Sequence, residues 1–145
     1  MTQTNGLAIC LVTRAGAVGV DAEDTSQVVD VARIAKHFLC ERDRARLMAL
    51  ADGDRSAAFF ELWVFHEAYV KGSGKGLGAA SERVGIRFNA DNRPLPIGNW
   101  QFSLHHPRPN YVAAAAIRQP RRDAPPVPVV WLNAALFQTR VAVEI

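Results

Sequence analysis

The run from Phe59 to Val70, FFELWVFHEAYV, sets the tightest limit on what this chain can fold into. It is mostly apolar, free of Gly and Pro, and too long for an ordinary strand, so it predicts a buried helix. Asp54 is placed to cap the N-terminus, and Gly72 with Gly74 to stop the helix just past its last long side chain. Such a helix belongs inside, yet it carries His66, Glu67 and then Lys71, with Trp63, Glu67 and Lys71 four residues apart on one stripe. Desolvating an unpaired carboxylate is costly, so Glu67 must find a cation, a metal or a hydrogen-bond network. Two readings are open: an ordinary i,i+4 pair with Lys71 on an edge that reaches water, or membership of a charged site.

A second acidic site lies upstream. Gly6 to Thr13 is an apolar run of strand length, followed by a turn at Arg14-Ala15-Gly16 and a second run from Ala17 to Val20, which together predict a hairpin. If the second strand continues through Glu23, Asp21 and Glu23 point to the same face, where two carboxylates repel unless something positive lies between them. Thr25 or Ser26 then caps a helix over roughly Gln27 to Leu39, with Val28, Val31, Ile34, Ala35 and Phe38 at helical spacing. Glu41 to Leu50 predicts a shorter amphipathic helix with its charges outward, broken at Ala51-Asp52-Gly53. Beyond Gly76 the rhythm changes to strands at Arg83 to Phe88, Trp100 to Leu104 and Tyr111 to Ile117, with turns at Asp91 to Pro94 and Pro107 to Asn110. Gln119 to Pro128 reads as an extended loop, and the tail from Val129 as a last strand or short helix. The order β-β-α-α-α-β-β-β predicts an α+β fold.

A chain of 145 residues suits a single domain, 1–145, with 119–145 as its Pro-rich loop and tail. Cys10 and Cys40 both lie beside apolar residues and predict reduced core thiols and a cytoplasmic setting. No run approaches the ~18 apolar residues of a membrane span, and the start has no basic leader, so no membrane partner is expected. Charge is uneven: 9 Lys and Arg stand against 11 Asp and Glu up to residue 82, and 8 against 3 beyond it. The acids gather where a cation would bind. No zinc-finger spacing or RNP-like aromatic run occurs, so nucleic acid is not an expected partner. Gly74-Lys75-Gly76-Leu77 is not a Walker loop, because it follows the C-terminal end of a helix, the wrong end of the dipole. His105-His106 has no further ligand at a metal-binding spacing and reads as surface loop.

The ordered set Gly19-Val20-Asp21-Ala22-Glu23, then Trp63-x-x-x-Glu67-Ala68-x-x-Lys71, then Gly74-x-Gly76-Leu77 resembles the 4'-phosphopantetheinyl transferase superfamily, in its larger, surfactin-synthetase-activating type. The resemblance covers roughly residues 2–118, one half of such an enzyme. It implies half of a 4'-phosphopantetheinyl transferase-like α+β fold, an antiparallel sheet packed against a long buried helix. It further implies Mg2+ dependence and transfer of phosphopantetheine from coenzyme A to a serine of an acidic acyl or peptidyl carrier protein. Carried over position by position, Asp21, Glu23 and Glu67 match the metal-binding acids and Lys71 a lysine near the coenzyme A phosphates, with His66 and Lys75 beside it. Glu67 is the candidate base, and Glu67 and Lys71 the catalytic pair. His66 stands where the family has a lysine, and Gln3 where Thr2-Gln3-Thr4-Asn5-Gly6-Leu7 matches a histidine-containing strand. Arg33, Arg42, Arg44 and Arg46 are candidate contacts for the carrier, and a homo-oligomer in which a second copy completes the site is one arrangement that a half-length chain allows. The other readings are a degenerate relative that binds metal or coenzyme A without turnover, and a non-enzymatic binding module.

Overall fold

The computed structural model describes residues 1–14, 16–74, 85–91 and 93–132. Eight elements run in the order β1 (Thr2–Thr4), β2 (Leu7–Ile9), β3 (Val18–Asp24), α1 (Val31–Phe38), α2 (Glu41–Met48), α3 (Asp52–Ser73), β4 (Trp100–His105) and β5 (Tyr111–Arg118). β3, β5 and β4 form an antiparallel sheet in that spatial order, and β1 with β2 forms a separate two-stranded ribbon. The α+β class and the packing of an antiparallel sheet on one long helix agree with the sequence expectation.

α3 is the 22-residue axis of the molecule, with Phe59, Phe60, Leu62, Val64, Phe65 and Ala68 all buried. It starts after Ala51, so Asp54 sits in the first turn rather than at the cap, and it ends where Gly74 takes the left-handed conformation at φ 68°. Gly72 is still helical, and its reason for being glycine is packing. A Cβ on Gly19 of β3 would stand 1.9 Å from the Ala68 carbonyl oxygen and 2.4 Å from the Gly72 nitrogen. Strand and helix backbones therefore touch, which only two facing glycines permit. On the other side of β3, the central strand β5 reads YVAAAAIR, and Ala113 to Ala116 are all fully buried. Tyr69 and Phe65 of α3 meet Trp100 and Phe102 of β4 edge-on at 5.4 and 5.9 Å.

Several boundaries differ from expectation. Gly6 to Thr13 does not pair with Ala17 to Val20. β2 is only Leu7–Ile9 and returns on β1 through Asn5-Gly6, with Gly6 at φ 67°, while β3 pairs with β5 from Val18 opposite Ile117 to Asp24 opposite Tyr111. The helix expected from Gln27 begins at Val31, capped by Asp30, because Asp24 takes the Ser26 N–H and hydroxyl into a local turn and leaves Val28 exposed. Of the strand expected at Arg83 to Phe88, the described part makes one bridge, Phe88 to Pro94. The loop 119–132 has no regular element. It is held to β4 by Gln101, which bonds both the nitrogen and the oxygen of Val127, and by His105 stacked on Trp131 at 4.5 Å. The tail beyond Leu132 lies outside the described residues. Among the described residues, no helix is long and apolar enough to cross a membrane.

Candidate active site

The backbone contact at Gly19 sets where the next residues of β3 lie against α3. Asp21 is 3% exposed, and its Oδ1 accepts from Lys71 Nζ at 2.5 Å and from the Thr2 hydroxyl at 3.1 Å. Lys71 Nζ also donates to Thr2 Oγ1 at 3.1 Å, so β1, β3 and α3 meet at one ion pair. Lys71 thus spends its short bond on Asp21 and not on an ordinary i,i+4 pairing with Glu67. Asp21 Oδ2 is buried and, among the described residues, without a hydrogen-bond partner. An orphaned carboxylate oxygen is expensive unless a cation or water meets it.

Glu23, two residues on, accepts the indole N–H of Trp63 at 3.1 Å. Burial first, then the Asp21 charge, raises the Glu23 pKa, against the pull of the Trp63 bond and Lys71. Burial and then Asp21 likewise raise Glu67, with Lys71 and His66 pulling it down and Glu23 adding repulsion. The three predicted acids are therefore electrostatic neighbours. Among the described residues, no three His, Cys, Asp or Glu side chains close around an ion as they stand. Mg2+ does not ask for that: it takes one or two carboxylates, keeps its waters and binds phosphate oxygens. An all-oxygen donor set, an orphaned Asp21 oxygen and mutually repelling neighbours fit such an ion.

The raised Glu67 carries a stability consequence. A carboxyl with a higher pKa folded than unfolded holds its proton longer in the native state, so stability falls as pH rises from the ordinary carboxyl value through the raised one. Glu67→Gln is expected to unfold at higher denaturant than wild type at neutral pH without added metal. The advantage should vanish in acid, where Glu67 is protonated; an equal midpoint at both pH values would count against the mutual repulsion.

His66 is placed differently from the expectation of a phosphate-facing residue. Its Nε2 lies 3.3 Å from Oδ2 of Asp43, and both residues are buried. Asp43 also accepts the Ile86 N–H at 3.0 Å, so one carboxylate ties α2 to α3 and to the chain just after Gly85. This corrects the reading of α2 as a helix with its charges outward: Asp43 is 1% exposed and shares the inner face with Leu47. Burial would raise the Asp43 pKa, but the bonds from His66 and Ile86 and the His66 charge outweigh it and hold it low. Asp43 then contributes stability above the ordinary carboxyl value that is lost as pH falls through its lowered one. Asp43→Ala is expected to cost about 2–3 kcal/mol at neutral pH by denaturant titration, since it strands a buried N–H and a buried imidazole. A loss below about 0.5 kcal/mol, the level of surface substitutions, would contradict this. Lys75 lies outside the described residues.

The sequence model of the 4'-phosphopantetheinyl transferase superfamily matches residues 17–116, most of the chain and all of the elements that carry these acids. The chain belongs to this superfamily. Among curated superfamily members, the 4'-phosphopantetheinyl transferase HetI of Nostoc sp. is 27% identical over 118 residues, 81% of this chain and 50% of HetI. The transferase Sfp of Bacillus subtilis is 28% identical over 76 residues, 52% of this chain and 33% of Sfp. The chain thus spans half or less of the curated transferases it matches. Two solved structures share the fold. The holo-[acyl-carrier-protein] synthase of Thermotoga maritima has a TM-score of 0.57 at 18% identity, covering 74% of this chain and 65% of that one. That of Bacillus anthracis, in complex with CoA (3',5'-ADP), has a TM-score of 0.56 at 15% identity, covering 72% and 96%.

Thr2 and Asp43 are the residues that sequence reasoning passed over. Thr2 carries no signal of its own, because its role depends on β1 lying beside β3. Asp43 does carry one: it is an acid four residues before Leu47, on the same face of the helix as that apolar residue.

Proposed function

We propose that this chain is a Mg2+-dependent transferase that moves the 4'-phosphopantetheine group from coenzyme A to a serine of an acyl or peptidyl carrier protein. The observation that carries the reading is the junction of β3 with α3, where Asp21 and Glu23 interact with Glu67 and Lys71, Asp21 and Glu67 being 46 residues apart in sequence. Asp21, Glu23 and Glu67 are the residues that would hold the ion, which when bound neutralises charge on the coenzyme A pyrophosphate. The Lys71 ammonium, held by Asp21 and Thr2 with its side chain 40% exposed, binds the same phosphates. The carrier serine oxygen forms one P–O bond at the β-phosphate while the bond to 3',5'-ADP breaks, and the leaving group keeps the electron pair. Glu67 takes the serine proton, directly or through water.

The basic surface of α1 and α2 is the proposed landing site for an acidic carrier. Arg33 and Lys36 are exposed there, and Arg42, Arg44 and Arg46 are steadied by Asp43, Glu41 and the Phe88 ring. A second copy of the chain is the proposed source of any further wall that coenzyme A needs. We place Lys75 with Lys71 in phosphate binding, and the protein in the cytoplasm. The engagement of His66 with Asp43 favours a second reading, in which the chain binds metal and coenzyme A without turnover because the residue at the family's lysine position is turned to Asp43 instead of the phosphates.

The test is to mix the protein with coenzyme A, Mg2+ and an apo carrier protein and weigh the carrier. A mass gain of one phosphopantetheine arm is expected. No gain at any pH rejects turnover, and metal-linked coenzyme A binding under the same conditions then selects the second reading.

A further inference from the structure

Trp63 is anchored from two sides. It lies one turn after Phe59 on α3 and stacks on it, with ring centroids 5.8 Å apart and planes at 27°. Phe38, at the end of α1, meets it edge-on at 5.5 Å and 89°. Aromatic contacts of this kind hold a ring beyond what burial alone does. The indole has one donor and no acceptor, and that donor goes to Glu23 Oε1 at 3.1 Å, across 40 residues of sequence. A glutamate at a strand end has three free torsions and repelling acids beside it, so without a partner it has no reason to keep one orientation.

We propose that Trp63 is a positioning residue of the cation site: its indole N–H clamps one oxygen of Glu23 and leaves the other outside that bond, available to the divalent ion. The inference rests on the reading of Asp21, Glu23 and Glu67 as ion ligands. The clamp is neutral, so it orients the carboxylate without cancelling the charge that attracts the ion, which Lys or Arg at this place would do. Phe38 and Phe59 act through the ring, and the C-terminus of α1 thereby contributes to a site it does not touch. Partners that orient ligands are worth about 10–100-fold in metal affinity.

Mn2+ binding to the full chain, read by the electron paramagnetic resonance of the free ion, tests this. Trp63→Phe keeps an aromatic ring between Phe38 and Phe59 and removes the N–H. Its Mn2+ affinity is expected to fall about tenfold, with a cooperative melt retained. Glu23→Gln should also weaken binding, and the double variant should be no weaker than Glu23→Gln alone, because the clamp has nothing left to hold. Wild-type affinity in Trp63→Phe, or losses that add in the double variant, overturns the inference while leaving the ion site standing. A wild-type protein that binds no Mn2+ removes the ion site and the inference with it. Should Trp63→Phe fail to fold, the wild-type indole signals decide: on adding Mg2+, the Trp63 N–H resonance moves while those of Trp100 and Trp131 stay. An unmoved Trp63 signal overturns the proposal.

Discussion

Gly19→Ala is expected to lower the stability of the fold by about 3 kcal/mol or more, read as a fall in the denaturant midpoint. The new methyl would lie 1.9 Å from the Ala68 carbonyl oxygen and 2.4 Å from the Gly72 nitrogen, both backbone atoms of α3 that cannot swing away. Relief requires β3 and α3 to part, but β3 is hydrogen-bonded to β5 along its whole length. Gly72→Ala is the milder companion. Its methyl meets the Gly19 nitrogen and the Trp100 ring, each at 2.8 Å, and the ring has some freedom to shift. A wild-type midpoint in Gly19→Ala would mean that the two backbones do not touch. The substitution is also a functional probe, because any separation of β3 from α3 draws Asp21 away from Lys71.

The second large effect is chemical. Glu67→Gln is expected to reduce phosphopantetheine transfer by about a hundredfold or more, the range of a lost general base, while making the metal-free fold sturdier at neutral pH. Asp21→Asn should lose at least as much, since it removes a proposed cation ligand and the carboxylate that fixes Lys71. The opposite signs in Glu67→Gln are informative together. A residue kept for packing would lose stability when changed, whereas a charge held against desolvation and repulsion gains it. Transfer rates within about threefold of wild type in Glu67→Gln are too close for a lost general base and would assign the proton to another group.

How much was legible in the sequence depends on the range of the forces involved. α3 was, because an apolar run of that length without Gly or Pro has few other solutions, and β4 was, because the alternation of Trp100, Phe102 and Leu104 is a local signal. The pairing of β3 was not. Its partner lies about 90 residues downstream, and the apolar run from Gly6 mimicked a nearer one, although Asn5-Gly6 is itself a turn signal. The start of α1 was misplaced because Ser26 bonds Asp24 instead of capping a helix, a competition between two local uses of the same hydroxyl. At the site, the spacing of Asp21, Glu23 and Glu67 named three acids that are electrostatic neighbours where β3 meets α3. The glycine contact that assembles it, the Lys71 pairing across elements, and the burial of His66 against Asp43 depend on three-dimensional packing that no single spacing encodes.

Thermal unfolding with and without Mg2+ probes the centre of this account without a carrier or coenzyme A. An ion that binds only the folded chain raises the melting temperature by mass action, and one bound at the proposed site would also relieve the repulsion among Asp21, Glu23 and Glu67. The account predicts a rise on adding Mg2+ at neutral pH that is lost in Asp21→Asn and in Glu67→Gln. No rise in the wild type, or an equal rise in all three proteins, would contradict it.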